Sequence, residues 1–194
     1  MIVVLDLGIK KENRLFLLLD KLDCQFIISR NEEDILSADK LIICIEEDLQ
    51  SVLRTLHVYN LFSLLRLIKK PILAIGSGSQ LLFDRILDNN LAGLGIVNLP
   101  EHFENSVDPD DVERGVQIKV LSKDCLFDGF GDTAEFYFNR VNFIPCTDDT
   151  TAVSERKSEC CVAFQKSNYY GVQFHPELSG DTGEKLLKNF LEKC

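Results

Sequence analysis

The feature that most constrains the fold of this chain is a series of short apolar segments without polar alternation. Ile2–Leu5, residues 41–45 and Ile72–Ile75 are continuous apolar runs, and leucine-rich segments at helical spacing lie between them. Strands of this kind are buried on both faces, as in a mostly parallel sheet covered by helices. We therefore predict an α/β fold with a doubly wound sheet, whose functional site lies at the carboxyl ends of the strands.

Hydrophobic periodicity predicts where the other helices and strands lie. In the first half of the chain we predict a further strand at residues 25–29, helices at residues 15–22, 49–68 and 80–87, and a short helix or turn at residues 32–38. In the second half we predict an acidic loop at residues 105–114, a closing helix at residues 183–193, and strands at residues 116–121, 135–144, 160–165 and 169–174. Because turns join these later strands, we expect additional antiparallel β segments beside the parallel sheet.

Length and charge favour a single soluble domain over residues 1–194. A chain of 194 residues fits about one domain. The formal net charge of −10 makes nucleic acid an unfavourable partner, because an acidic surface repels phosphates. The sequence shows no basic leader and no apolar run near the ~20 residues that span a bilayer. We therefore expect a cytoplasmic protein that does not contact a membrane.

The seven cysteines indicate neither a disulfide framework nor a zinc site. Their number is odd, and no Cys-x-x-Cys pair occurs. Several lie in apolar runs, where cysteine behaves as a small hydrophobic residue. We therefore expect thiols in a reducing compartment, and we expect neither a metal nor a cofactor.

Residues 71–83 have the form of a nucleophile elbow, in which a buried strand runs into a tight turn that opens a helix. Gly76, Ser77 and Gly78 are the small residues that such a cramped turn needs. A nucleophile at the tip of the turn becomes more acidic, because it lies at a helix N-terminus. Glycine-rich turns are common, so this segment alone does not distinguish catalysis from phosphate binding or tight packing.

A second segment offers a base and a carboxylate. Pro176 favours an extended backbone at His175, and residues two apart in an extended chain point to the same side. His175 and Glu177 can therefore meet, with the carboxylate orienting the imidazole as in a catalytic triad. The alternative is a surface His-Pro-Glu turn without a catalytic role.

Taken together, these segments resemble the class I (triad-type) glutamine amidotransferases, in particular the glutaminase subunit of imidazole glycerol phosphate synthase. The resemblance covers nearly the whole chain, and its strongest matches are residues 71–83, 93–96, 135–138 and 171–177. It implies a flavodoxin-like fold in which His175 is the base and Glu177 orients it. It also implies that Gln80 and the backbone amide of Ser77 lie beside the glutamine substrate.

The chain departs from this family at the position of the catalytic nucleophile. Active relatives carry Gly-x-Cys-x-Gly-x-Gln at the elbow, and matching Gly78 and Gln80 places Gly76 where the nucleophilic cysteine stands. Relatives also carry a Pro-Gly-x-Gly turn after the third strand, whose amides help to hold the oxyanion. Here that turn reads Cys44-Ile45-Glu46-Glu47, and a carboxylate at this place opposes oxyanion stabilisation.

Three functions follow from the resemblance and its departures. The favoured function is that of a pseudoglutaminase, which keeps the glutaminase fold but does not hydrolyse glutamine. Such a protein acts as partner or regulator of a synthase subunit, and the resemblance implies that this subunit is a (β/α)₈ barrel. The alternatives are an active glutaminase in which Cys44 or Ser77 replaces the nucleophile, and a sensor that binds glutamine without cleaving it. The pathway stays open between histidine biosynthesis and the amidation of a nucleotide-linked sugar.

Overall fold

The computed structural model describes residues 1–87, 91–100, 114–139, 141–142, 144–154 and 159–194. The strands are β1 Ile2–Leu5, β2 Phe26–Ser29, β3 Lys40–Cys44, β4 Ile72–Ile75, β5 Arg114–Val120, β6 Thr133–Phe138, β7 Thr150–Ser154, β8 Cys160–Lys166 and β9 Tyr169–Val172. The helices are α1 Arg14–Lys21, α2 Glu32–Ser37, α3 Leu49–Val58, α4 Leu61–Leu67 and α5 Gly180–Lys193, and short 3-10 helices cover Gly76–Leu82, Cys125–Phe127 and Pro176–Leu178.

One nine-stranded sheet runs through the molecule in the order β2-β1-β3-β4-β9-β8-β7-β5-β6. The strands from β2 to β9 pair in parallel, and those from β9 to β6 pair antiparallel. This architecture confirms the predicted α/β fold with a mostly parallel sheet and added antiparallel segments. Strand β9 joins the two parts, so the residues that follow it reach the carboxyl ends of β3 and β4.

The central strands are buried on both faces. In β1, Ile2 and Val4 belong to one apolar core, whereas Val3 and Leu5 belong to the core on the other face. Full burial of such a side chain contributes about 1.5–3 kcal/mol. Polar residues are therefore excluded from both faces, which explains why these strands show no polar alternation in the sequence.

The predicted helix at residues 49–68 was wrong in one respect, because the structure divides it. Helix α3 ends at Val58 and α4 begins at Leu61. Asn60 between them adopts a φ of +56°, a left-handed conformation that asparagine tolerates better than most residues. Leucine periodicity continues across the break, since both helices face the same core.

The predicted helix at residues 80–87 was also wrong. The helical turns begin earlier and end at Leu82, and Phe83 then forms a parallel bridge with Val97. The amides of Leu94 and Gly95 donate to the carbonyls of Leu81 and Phe83 at 2.7 and 2.9 Å. These carbonyls are engaged by the returning chain, so an α-helix does not continue here.

Other differences concern the second half. The strand predicted at residues 135–144 ends at Phe138, and β7 was missed because Thr150–Ser154 is short and only half apolar. Helix α5 begins at Gly180, before the predicted residue 183. Most of the predicted acidic loop at residues 105–114 lies outside the described residues, and Arg114 already begins β5. In the part of the chain that the structure describes, no helix is both long and apolar enough to cross a membrane.

A disulfide joins Cys125 to Cys194, which contradicts the expectation of thiols alone. The two cysteines are 69 residues apart in sequence, and their Cα atoms lie 5.3 Å apart. Asn189 of α5 donates to the carbonyls of Leu126 and Asp128, so the end of α5 is held against the turn that contains Cys125. This contact arises only in the folded molecule, and no cysteine spacing predicts it.

Candidate active site

The candidate site lies where β3, β4 and β9 end side by side. Strand β4 pairs with both neighbours, so the elbow at Gly76 stands between the turn after β3 and the segment after β9. A cavity of about 250 Å³ opens here. Its lining residues are Ile45, Glu47, Asp48, Leu49, Gly76, Ser77, Gln80, Ile86, Asn139, Asn142, Gln173 and His175.

Gly76 forms a tight turn between strand β4 and the 3-10 helix that follows it. Its φ is +59°, in the region that L-residues rarely adopt. A Cβ at this position would lie 2.6 Å from Cε1 and 2.7 Å from Nε2 of His175. The imidazole therefore fills the space that a cysteine side chain would enter.

His175 and Glu177 lie in contact as predicted, but a 3-10 turn at Pro176–Leu178 brings them together, and not the extended chain that the prediction assumed. Nδ1 of His175 is 2.7 Å from Oε1 of Glu177, and the two side chains are 12% and 3% exposed. Since a carboxylate only accepts, Nδ1 donates this hydrogen bond, and Nε2 is the nitrogen that faces Gly76. A triad base is oriented in the same way.

Backbone contacts fix the position of His175. Its amide donates to the carbonyl of Tyr137 at 2.8 Å. The hydroxyl of Ser179 donates to the carbonyl of His175 at 2.7 Å and accepts from the amide of Tyr137 at 2.9 Å. Hydrogen bonds therefore hold His175 against strand β6 and against Ser179, the residue that precedes α5.

Neither alternative nucleophile is positioned to replace cysteine. The hydroxyl of Ser77 donates its hydrogen bond to the carbonyl of Ile45 at 3.2 Å and not to the imidazole. Burial raises the pKa of the Cys44 thiol well above its ordinary value, and the charges of Glu177 and Glu46 raise it further. A protonated buried thiol is inert, so Cys44 fits a packing role. Ser79 is likewise engaged, because its hydroxyl donates to the carbonyl of Gly76 at 2.7 Å.

The turn after β3 brings carboxylates to the crevice. Glu46 accepts a hydrogen bond of 2.5 Å from Nδ2 of Asn13, and its other oxygen lies 3.9 Å from Nζ of Lys10. Glu47 folds over Gly8, where a Cβ would lie only 2.3 Å from the Glu47 Cδ. The turn thus brings two carboxylates to the crevice beside the elbow. Asp6, at the end of β1, pairs instead with Arg30 at 2.9 Å.

The floor of the cavity is built from side-chain amides. Gln80 is 4% exposed, and its Oε1 accepts from the amide of Leu87 at 3.4 Å. Gln173 accepts from the amide of Asn142 at 2.9 Å and donates to the Asn142 carbonyl at 3.0 Å. Sequence reasoning singled out Gln80 but missed Asn142 and Gln173. Gln173 could have been found, because it stands two residues before His175 and shares its side of an extended chain.

A second cavity of about 250 Å³ lies on the other side of the His175–Glu177 pair, next to Glu12, Asn13 and Glu46. Within the described residues, no group of three or more histidine, cysteine or acidic side chains is arranged to hold a metal ion. Chemically, the site offers an oriented imidazole and several carboxylates, but its described residues place no nucleophile beside that imidazole.

Comparison with known proteins gives one consistent result. The family model for "Glutamine amidotransferase class-I" matches residues 3–194. The imidazole glycerol phosphate synthase subunit HisH of Pectobacterium atrosepticum is 32% identical over 195 residues, and that of Vibrio cholerae is 31% identical over 198 residues, each match covering 98% of both chains.

Solved structures share the fold. A glutamine amidotransferase crystal structure superposes with a TM-score of 0.75 at 16% identity, covering 98% of this chain and 97% of that one. A glutamine amidotransferase from Thermotoga maritima gives a TM-score of 0.62 at 15% identity, covering 99% of this chain and 82% of that one. At these identities the likeness concerns the fold alone.

Proposed function

The chain belongs to the class I glutamine amidotransferase family, and from this premise we propose that it is a pseudoglutaminase: a subunit that keeps the glutaminase fold, does not hydrolyse glutamine, and acts on a synthase partner. The observation that carries the proposal is Gly76, whose missing side chain leaves its space to the imidazole of His175.

The missing nucleophile removes the covalent route. Amide hydrolysis by a triad begins with attack of a deprotonated side chain on the carbonyl carbon. Removing the nucleophile of a triad costs about 10⁶ in kcat in a serine protease. The remaining pair, His175 and Glu177, can orient and accept a proton but has no nucleophile to activate.

The turn at residues 44–47 also supports the proposal, because it bears on oxyanion stabilisation and not on the nucleophile. The carbonyl of Ile45 accepts from Ser77, and the carboxylate of Glu47 lines the cavity. Loss of a single oxyanion donor costs about 10²–10³ in rate. Two independent parts of the catalytic machinery are therefore altered together, as expected if the chain has lost hydrolysis as its function.

The role of a partner follows from the relatives. The HisH proteins that this chain resembles over its full length are named as subunits of imidazole glycerol phosphate synthase. We propose that this chain likewise forms a heterodimer with a synthase subunit, which is a (β/α)₈ barrel by resemblance. In this heterodimer the chain acts as one domain that stabilises or regulates its partner. Histidine biosynthesis is the pathway that these relatives favour.

One observation favours a second candidate, an active glutaminase with an unusual mechanism. The distance of 2.7 Å between His175 and Glu177 is that of a competent base and its orienting carboxylate. Such an enzyme would need a nucleophile near Nε2 of His175. Ser77 and Cys44 do not meet this need, for the reasons of geometry and pKa given above.

The test is to recover the chain with its bound partner and to measure glutamate released from glutamine. We expect the wild-type complex to release no more glutamate than the complex carrying His175→Ala. Glutamate release that disappears in the His175→Ala complex would overturn the proposal and support the active enzyme. The partner that co-purifies identifies the synthase.

A further inference from the structure

The disulfide between Cys125 and Cys194 is open to chemistry that the buried cysteines are not. Cys44 and Cys161 are free thiols within the core. Cys125 and Cys194 are only partly buried, at the edge of an apolar core, so a thiol from solution can reach the bond between them. Where thiols are kept reduced, a disulfide is usually catalytic or redox-sensing.

A buried phenol contacts one of the two sulfur atoms. The hydroxyl of Tyr170, a residue that is 6% exposed, lies 3.3 Å from Sγ of Cys125. Since a disulfide sulfur carries no hydrogen, the phenol is the donor in this contact. Nε2 of Gln165 donates to the same phenol oxygen at 3.4 Å, which leaves the phenol hydrogen for the sulfur. Burial raises the pKa of Tyr170, and the charge of Asp124 raises it further, so the phenol keeps its proton at neutral pH.

This donor distinguishes the two sulfurs when the disulfide opens. In thiol–disulfide exchange, the sulfur whose thiolate is better stabilised leaves faster. A hydrogen bond to a thiolate is stronger than one to a neutral sulfur, so the phenol of Tyr170 favours Cys125 as the leaving group. Within the part of the chain that the structure describes, no hydrogen bond reaches Sγ of Cys194.

The neighbouring charges direct the attack to the other sulfur. Asp124 immediately precedes Cys125, and its carboxylate repels an incoming thiolate. The ammonium of Lys40 donates to the carbonyl of Cys194 at 2.8 Å, which places a positive charge beside that residue. Attraction at Cys194 and stabilisation of the departing Cys125 therefore favour the same direction of exchange.

We propose that the Cys125–Cys194 disulfide is a thiol-exchange site, at which a low-molecular-weight thiol becomes attached to Cys194 and Cys125 is released. The thiolate of the incoming molecule attacks Sγ of Cys194, and the bond between the two cysteines breaks. Its electron pair passes to Sγ of Cys125, which accepts the hydrogen bond of Tyr170 and then takes a proton from solvent. One S–S bond forms as another breaks, so the step needs no further oxidant or reductant.

Other contacts hold the end of α5 in place once the disulfide opens. Nδ2 of Asn189 donates to the carbonyls of Leu126 and Asp128 at 3.1 and 2.8 Å. Nζ of Lys193 lies 2.6 Å from the carboxylate of Asp128. The two cysteines therefore stay near each other, and Cys125 can reverse the exchange. This inference does not depend on whether the chain hydrolyses glutamine.

The experiment treats the oxidised full chain with glutathione at neutral pH for short times and stops the reaction with excess N-ethylmaleimide. Peptide mass spectrometry then locates the glutathione and the maleimide. We expect opened molecules to carry glutathione on Cys194 and maleimide on Cys125, at least about threefold more often than the reverse arrangement.

Tyr170→Phe removes the phenol donor and keeps the ring. We expect this variant to open about two- to tenfold more slowly, the rate effect of one hydrogen bond, and to lose part of the preference for Cys194. Tyr169→Phe is the matched control. The hydroxyl of Tyr169 donates to the carbonyl of Leu65 at 2.9 Å, and its ring packs in the core on the other face of the sheet. This variant should open at the wild-type rate with the wild-type preference.

Four results would overturn the inference. They are glutathione mainly on Cys125, no opening by glutathione, maleimide labelling of the pair before glutathione is added, and equal slowing in the two tyrosine variants. The position of glutathione in the wild-type chain tests the proposal even if a tyrosine variant fails to fold. A merely structural disulfide would open without a preference that depends on the Tyr170 hydroxyl.

Discussion

The imidazole of His175 lies 2.7 Å, measured at Nε2, from the position that a Cβ of Gly76 would occupy. The glycine and the ring therefore pack directly against each other, with no room for a side chain between them. A side chain at residue 76 requires the ring to move, although Glu177 holds the ring and the carbonyl of Tyr137 in β6 holds the amide of His175.

The first prediction concerns the stability of Gly76→Ala. We expect this change to lower the free energy of unfolding by about 2–5 kcal/mol, of which about 1–2 come from the left-handed backbone and about 1–3 from overpacking against His175. Gly180→Ala is the matched control, because Gly180 has a φ of +57° and nothing within 4 Å of an added Cβ. Denaturant unfolding measures both. Equal losses would contradict the packing of the ring against Gly76.

The second prediction concerns the structural role of the His175–Glu177 pair. His175→Ala removes the donor to a carboxylate that is 3% exposed and whose other oxygen already has no partner among the described atoms. We expect His175→Ala to lower the free energy of unfolding by about 1–3 kcal/mol. Adding Glu177→Gln should recover part of it, because the buried charge is then gone. A double mutant that is less stable than His175→Ala alone would contradict this account.

The third prediction concerns the disulfide. It closes a loop of 69 residues, and such cross-links contribute about 2–4 kcal/mol. We expect dithiothreitol to lower the free energy of unfolding of the wild-type chain by this amount. Cys125→Ser should show the loss in both conditions. Cys146→Ser, at an exposed cysteine outside the disulfide, is the control and should keep its response to reductant. An unchanged wild-type stability would contradict the pairing.

The fourth prediction concerns the reactivity of the free thiols at neutral pH. The pKa of Cys44 is raised by burial and by the charges of Glu177 and Glu46, so less of this thiol is ionised at neutral pH than of an ordinary cysteine. Burial raises the pKa of Cys146 too, but this residue is exposed. We expect iodoacetamide at neutral pH to label Cys146 and leave Cys44 unmodified, as measured by peptide mass spectrometry. Rapid labelling of Cys44 would reopen it as a nucleophile.

The sequence predicted the parallel half of the fold because burial on both faces leaves continuous apolar runs, such as Ile72–Ile75. It also predicted the His175–Glu177 contact, although the structure makes this contact through a 3-10 turn at Pro176–Leu178 and not through the extended chain that the prediction assumed. It did not predict the ends of the helices near Asn60 and Leu82, where a left-handed residue and returning amides interrupt the apolar period. The cavity residue Asn142 and the disulfide depend on contacts between distant segments, which local patterns do not encode.

The last prediction is that restoring the nucleophile alone does not restore hydrolysis. In Gly76→Cys the new side chain clashes with the imidazole of His175 in its present position. The turn at residues 44–47 is unchanged in this variant, so the carbonyl of Ile45 still faces Ser77 and the carboxylate of Glu47 still lines the cavity. Ile45→Gly with Glu47→Gly restores the glycines of active relatives and removes that carboxylate. We expect glutamate release to rise by about 10²–10³ between Gly76→Cys and the triple variant. Because the two glycine changes without Gly76→Cys should stay inactive, they serve as the control. Full activity in Gly76→Cys alone would mean that the turn opens when substrate binds, and that the glycine by itself disables the site.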